Sequence, residues 1–209
     1  MKLKHLFLIT ILAVTAISCN KKGSQPANFD YGKVENNVYS NTFFNFQITI
    51  PANWEILPQA QNQNLMEQES ADKNLQAEQT SVNLLTALKN ETDTLDVGFF
   101  TNLSVIAENL KGSDRVKNGT DYLMLTRKAL DNTGIKREYP DKATAVETIN
   151  GIEFSTMRVN TVEPDLTFSQ KFYTTIINGY ALTFIETYNN EIQHAELNTI
   201  MQTLIKLEL

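Results

Sequence analysis

The dipeptide Asn178-Gly179 most constrains what this chain can become, because it sits between two long apolar-rich segments. Both central residues of a two-residue type I′ turn need positive φ, which Asn and Gly adopt at little cost. The turn fixes a register that sets Ile177 against Tyr180, Thr175 against Leu182, Tyr173 against Phe184 and Lys171 against Glu186. An aromatic pair and an opposite-charge pair both favour that pairing. Phe172, Thr174, Ile176, Ala181 and Ile185 occupy the other face. Two largely apolar faces require cover on both sides of the sheet. Gly179 is thus a structural residue, and Gly151 of Asn150-Gly151 marks a second hairpin in the same way.

The rest of the pattern agrees with a sheet of this kind. Phe44, Phe46, Ile48 and Ile50 alternate with Asn45, Gln47 and Thr49, as in a half-buried strand. Pro51 ends that strand by withholding its amide hydrogen, and Trp54 follows as a structural plug under the corner. The Gln-, Glu- and Ala-rich stretch from Gln61 to Gln79 predicts a surface helix. Val82 to Leu88 and Asn102 to Glu108 read as strands, joined through a loop that contains Glu91 to Asp96. Asn118 caps a helix over Lys117 to Asp131, with Tyr122, Leu123, Ala129 and Leu130 on its buried face and Gly134 as its stop. Asn190 caps the last helix with Gln193 placed for a reciprocal bond, and Leu197, Ile200, Met201 and Leu204 form its buried stripe. Ile205, Leu207 and Leu209 alternate as a terminal strand. The order of elements predicts an α+β domain, an antiparallel sheet with helices packed on both faces.

Several of these segments resemble the PsbP-like family. They are Phe43-Phe44-x-Phe46, Ile50-Pro51-x-x-Trp54, Asn102-Leu-Ser-Val-Ile-Ala-Glu108, the helix with Asp121-Tyr122-Leu123, the hairpin Lys171-Phe172-Tyr173 to Tyr180-Ala-Leu-Thr-Phe184, and Leu204-Ile-Lys-Leu. The resemblance spans Val38 to Leu209 and implies an α/β/α sandwich. Members include the extrinsic photosystem subunit, a nuclear import factor and bacterial lipoproteins, so it implies binding or assembly support through a protein partner. It carries no catalytic residue onto this sequence.

The amino terminus carries an address. Lys2 and Lys4 precede an apolar run from Leu6 to Ile17, and Ala16 and Ser18 lead to Cys19, the only cysteine. A basic start, a short apolar core and a small-residue exit describe an export signal. This twelve-residue run falls short of the ~20 residues a spanning helix needs. Ala16-Ile17-Ser18-Cys19 resembles a lipobox, although Leu is missing at its first position and Ile is bulky at its second. Cleavage after Ser18 would leave Cys19 as an acylated first residue, held at the membrane by its lipid. Ordinary secretion with a free thiol is the alternative. Residues 1–18 are therefore expected as signal, 19–37 as lipidated cysteine and flexible tether, and 38–209 as the domain. Asn20 in place of Asp favours the outer membrane, and Lys21 and Lys22 favour its periplasmic side.

Composition limits the chemistry. The whole chain carries −6, and losing Lys2 and Lys4 with no acid makes the mature value −8. Nucleic-acid binding needs a basic footprint, which this balance lacks. With Cys19 consumed and His194 the single mature histidine, thiolate zinc sites and histidine-rich metal centres are excluded, and no cofactor is expected. Ser70-x-x-Lys73 matches an acyl-enzyme pattern but lacks its companion motifs. Glu91, Asp93 and Asp96 offer oxygen ligands without the central Gly and distal Glu of a calcium loop. Asp93-Thr94-Leu95 resembles an O-glycosylation site at Thr94. A lone base at His194 has no serine or orienting acid recognisable in sequence. The expected function is a non-catalytic, lipid-anchored envelope module. The alternatives are a carrier of a small apolar or sugar ligand near Phe43, Phe44 and Trp54, between sheet and helix, and a hydrolase through His194 or Ser70.

Overall fold

The structure, a computed structural model, describes residues 25–62, 81–90, 101–163 and 166–207. Cys19, Ser70, Lys73, Glu91, Asp93, Thr94 and Asp96 lie outside them, as does most of the helix expected over Gln61 to Gln79. In chain order the strands are β1 (Lys33–Glu35), β2 (Val38–Asn41), β3 (Phe46–Thr49), β4 (Trp54–Ile56), β5 (Ser81–Lys89) and β6 (Asn102–Asn109). Helix α1 (Gly119–Asp131) follows, then β7 (Arg137–Glu138), β8 (Ala145–Ile149), β9 (Ile152–Glu163), β10 (Leu166–Ile177) and β11 (Tyr180–Tyr188). Helix α2 (Glu191–Met201) and β12 (Ile205–Lys206) complete the described chain.

The larger sheet runs β4-β5-β6-β11-β10-β9-β7, with β8 also paired to β9, and the smaller runs β1-β2-β3-β12. Every described strand pairing is antiparallel. The β10–β11 register is the one the turn dictates, from Ile177 opposite Tyr180 to Lys171 opposite Glu186. Asn178 and Gly179 have φ of 52° and 79°, and Asn150 and Gly151 have 46° and 77°. A Cβ at Gly151 or Gly179 would touch nothing, so both glycines are there for backbone conformation alone.

Alternation divides the core into two layers. Tyr173, Leu182 and Phe184 point to one side with Leu103, Val105 and Phe154, where Ile48, Ile50, Leu197, Ile200, Met201 and Leu204 cover them. Phe172 and Ile185 point to the other with Ile106, Met157 and Val159, under Leu123 and Leu130 of α1. The expected helix–sheet–helix sandwich is corrected here. Opposite α1, the cover is in large part a second sheet, with α2 beside it. Short apolar runs such as Phe44 to Ile50 make a strand legible without showing that it leaves the main sheet.

The tether is corrected too. From Gln25 onward the chain packs on the domain, and Lys33–Glu35 pairs with β2. The Phe29 ring lies 5.0 Å from Phe43 and from Tyr31, and 5.5 Å from Tyr180. Tyr180 Oη donates to Gln25 Oε1 at 2.5 Å, and Asp30 Oδ2 accepts from the Thr42 amide at 2.8 Å. Polar composition hid this strap because one aromatic inserted into a ring cluster leaves no periodic signal. Such ring pairs contribute about 0.5–1.5 kcal/mol each beyond area burial.

Helix α1 starts as its sequence directs, with Asn118 Oδ1 accepting from the Asp121 amide at 2.9 Å. Its buried residues are Gly119, Leu123, Thr126 and Leu130, so Ala129 is not part of the buried stripe. The helix ends at Asp131, before Gly134. Gly119 lets the first turn sit directly on the sheet: an added Cβ would lie 2.5 Å from the Thr174 carbonyl oxygen and 3.0 Å from Ser155 Cβ. Gly119→Ala is therefore expected to lose about 1–3 kcal/mol in urea denaturation through overpacking. Helix propensity alone would predict a gain of about 1 kcal/mol, so unchanged or higher stability would refute the close approach.

Candidate functional site

Two places combine unusual groups. The first lies where the end of β11 meets the start of α2. Strand alternation continues Leu182 and Phe184 into Glu186 and Tyr188, so a carboxyl group is driven onto an apolar face. Glu186 has no exposed side-chain surface. Tyr173 Oη donates to its Oε2 at 3.4 Å and to Asn198 Oδ1 at 3.1 Å. Asn190 Oδ1 accepts from the Gln193 amide at 3.0 Å, and Gln193 Oε1 accepts from the Asn189 amide at 2.8 Å. That cap fixes the first turn of α2 and sets His194 over β11.

His194 stacks on the Tyr188 ring at 4.3 Å and 7°. Its Nε2 is 3.6 Å from Glu186 Oε2, and its Nδ1 is 3.6 Å from Glu191 Oε2. Neither His194 Nε2 nor Glu186 Oε1 has a hydrogen-bond partner, and both are buried. Burial pushes the Glu186 carboxyl up to about 8, against the opposing pull of Lys171 and Tyr173. Burial likewise holds the His194 imidazole below its ordinary value. The two groups therefore meet as neutral partners near pH 7, and the short contact is not an ion pair. Lys171, expected against Glu186, instead binds Glu147 of β8 at 3.0 Å and lies 4.6 Å over the Tyr173 ring.

None of these contacts joins His194 to a hydroxyl that it could deprotonate. The acid beside it was not recognised in the sequence reading. The available signal was the position of Glu186 on the apolar alternate of a strand otherwise filled with Leu182, Phe184 and Tyr188. A second buried acid, Glu108, gives a weaker signal, because its face of β6 also carries Asn102, Ser104 and Ile106. Burial raises it to about 7, and Tyr122 Oη donates to it at 2.8 Å.

The second place is a cavity of about 280 Å³ between the two sheets. Phe44, Phe46 and Leu204 form one wall, and Phe154, Leu182 and Phe184 the other. Asn45, Thr175, Asn178 and Lys206 also line it. It therefore lies between sheet and sheet, where the expectation placed a ligand between sheet and helix. Trp54 and Phe43 are not in its walls. Trp54 is buried, and its Nε1 donates to Glu196 Oε1 at 3.0 Å. Glu196 Oε2 in turn binds Lys89 at 2.7 Å, so Trp54 ties α2 to the β4–β5 edge. Asn178 Nδ2 donates to the Phe43 carbonyl, holding the hairpin turn against the wall of the cavity.

A pH dependence follows from Glu186. Its folded-state carboxyl titrates higher than the unfolded one, so the native state binds the extra proton and stability falls as pH rises toward 8. Below about 6.5 the depressed His194 acts in the opposite sense, and Glu108 adds to the fall up to about 7, which leaves pH 7 to 8 as the window that belongs to Glu186. The melting temperature is expected to drop across that window, and Glu186→Gln should flatten the drop. An equal slope in both proteins would contradict the buried carboxyl.

Neither a protein-family model nor a curated protein matches the sequence. Among solved structures the chain is similar to cyanobacterial PsbP (CyanoP) from Synechocystis sp. PCC 6803. The TM-score is 0.52 at 16% identity, covering 88% of this chain and 98% of that one. It is also matched to LpqN, involved in cell envelope biogenesis of Mycobacterium tuberculosis, with a TM-score of 0.42 at 9% identity over 78% of this chain and 83% of that one. The first likeness, at 16% identity, speaks for architecture and leaves activity open. The two-layered antiparallel body described above thus has the PsbP fold.

Proposed function

We propose that the chain is a lipid-anchored, non-catalytic module of the cell envelope that acts by binding. The observation that carries this reading is the placement of His194. The single histidine of the mature sequence is stacked on Tyr188 and set against a neutral acid, with no nucleophile in its contacts. Acylation of Cys19 supplies the anchor in this reading, since several acyl chains together hold a protein stably at a membrane. Among the described residues no helix is long and apolar enough to cross a bilayer. The outer membrane, periplasmic side, is the proposed address, and a protein partner the proposed target.

Labelling with radioactive palmitate and membrane fractionation test the anchor. The wild-type chain should carry label and sediment with membranes, and Cys19→Ala should lose the label and most of the sedimenting fraction. An unmodified sulfur at a mature amino terminus would end that half of the proposal. Crosslinking in intact cells should join the anchored form, and not Cys19→Ala, to one recurrent protein. A carrier role is the second reading, and the 280 Å³ cavity between the sheets is the observation that favours it.

A further inference from the structure

We infer that the cavity between the sheets is a binding site for a monoacyl lipid, one straight acyl chain bearing a small polar head with a hydroxyl and an anionic group. This rests on the carrier reading and names its ligand. The walls supplied by Phe44, Phe46, Phe154, Leu182, Phe184 and Leu204 are apolar, and all six residues are no more than 2% exposed. Polar atoms gather at one end. Asn178 and Lys206 are exposed and Asn45 and Thr175 half-buried, so this end is the mouth. At ~30 Å³ for a group the size of a water in a condensed phase, 280 Å³ holds on the order of nine such groups. That suits a single acyl chain and is too small for a two-chain lipid.

The mouth specifies the head. Asn45 Oδ1 is buried and has no hydrogen-bond partner, so the site offers an acceptor that a ligand hydroxyl would satisfy. Lys206 places an ammonium at the same opening and makes no ion pair among the described residues, so an anionic group beside the hydroxyl is favoured. A lysophospholipid combines both features. A simple apolar molecule would leave the Asn45 oxygen unpaired.

The position of the mouth gives the ligand a route. Asn178 and Phe44 belong to the corner where Phe29, Phe43 and Tyr180 clasp the amino-terminal strap. The described chain begins there, at Gln25. Five residues separate Gln25 from Cys19, and six extended steps reach about 20 Å. If Cys19 is acylated, the mouth is therefore held close to the bilayer surface, where monoacyl lipids reside. The Cys19 acyl chains are a second source of the same chemistry.

The test uses the full chain purified from membranes, its Cys19→Ala form, and displacement of cis-parinaric acid followed by fluorescence. Three competitors are used below their micellar concentrations: lysophosphatidic acid, decanoic acid and decanol. Saturable binding by Cys19→Ala, with lysophosphatidic acid at least tenfold better than decanol, is expected. Thr175→Trp, a half-buried lining position, should abolish displacement while leaving the melting temperature within a few degrees. Lys206→Glu should erase the preference for the anion and spare decanol. Weak displacement from the acylated wild type beside strong displacement from Cys19→Ala would assign the cavity to the protein's own chains and overturn the exogenous ligand. Binding of indole, blocked by Thr175→Trp, with no acyl compound bound would keep a carrier and overturn the lipid. No saturable binding of any probe would overturn both.

Discussion

The pairing of β10 with β11 is the constraint on which the rest depends. Both strands are buried on both sides, so each must find cover twice. One side receives α1 through Leu123 and Leu130, and the other receives the smaller sheet and α2. A one-residue slip would exchange Phe184 for Ile185 and Tyr173 for Phe172 and bring Glu186 to the wrong layer. The two-residue turn at Asn178-Gly179 prevents that slip at its source. The same asparagine then donates to the Phe43 carbonyl, so the turn that sets the register also ties the second sheet to the first. Asn150 acts alike at the other hairpin, donating to the Gln202 and Leu204 carbonyls at 2.8 and 2.9 Å and closing the end of α2.

Local signals were legible where a residue type dictates backbone geometry. The hairpin register, the Asn118 and Asn190 caps, and the strands around Val82 and Asn102 follow from such residues. Layering was not legible. Nothing in Phe46 to Thr49 distinguishes a ninth strand of one sheet from a member of another, because alternation reports a buried face and not its partner. The strap was missed because Phe29 and Asp30 act through long-range contacts with Phe43, Thr42 and Tyr180. Glu186 was read as half of a cross-strand charge pair. Its Cα partner is indeed Lys171, but the lysine turns to Glu147, leaving the acid beneath His194.

That exchange shapes the functional reading. A lysine paired to Glu186 would have made a buried ion pair and kept the carboxyl charged. A neutral acid under a neutral histidine is instead a packed polar contact, costly to ionise. Among the described residues a cavity lies elsewhere, between the sheets. Aromatic rings from both sheets line that space without filling it.

If the proposed anchor and ligand are both present, the protein should leave the membrane with its cargo in place. Native mass spectrometry of the chain, extracted from its own membranes in a mild detergent, measures this directly. The account predicts the mass of the acylated protein plus one adduct of monoacyl-lipid size, lost on collisional activation while the covalent chains remain. The bare polypeptide mass, with neither covalent chains nor adduct under gentle conditions, would contradict it.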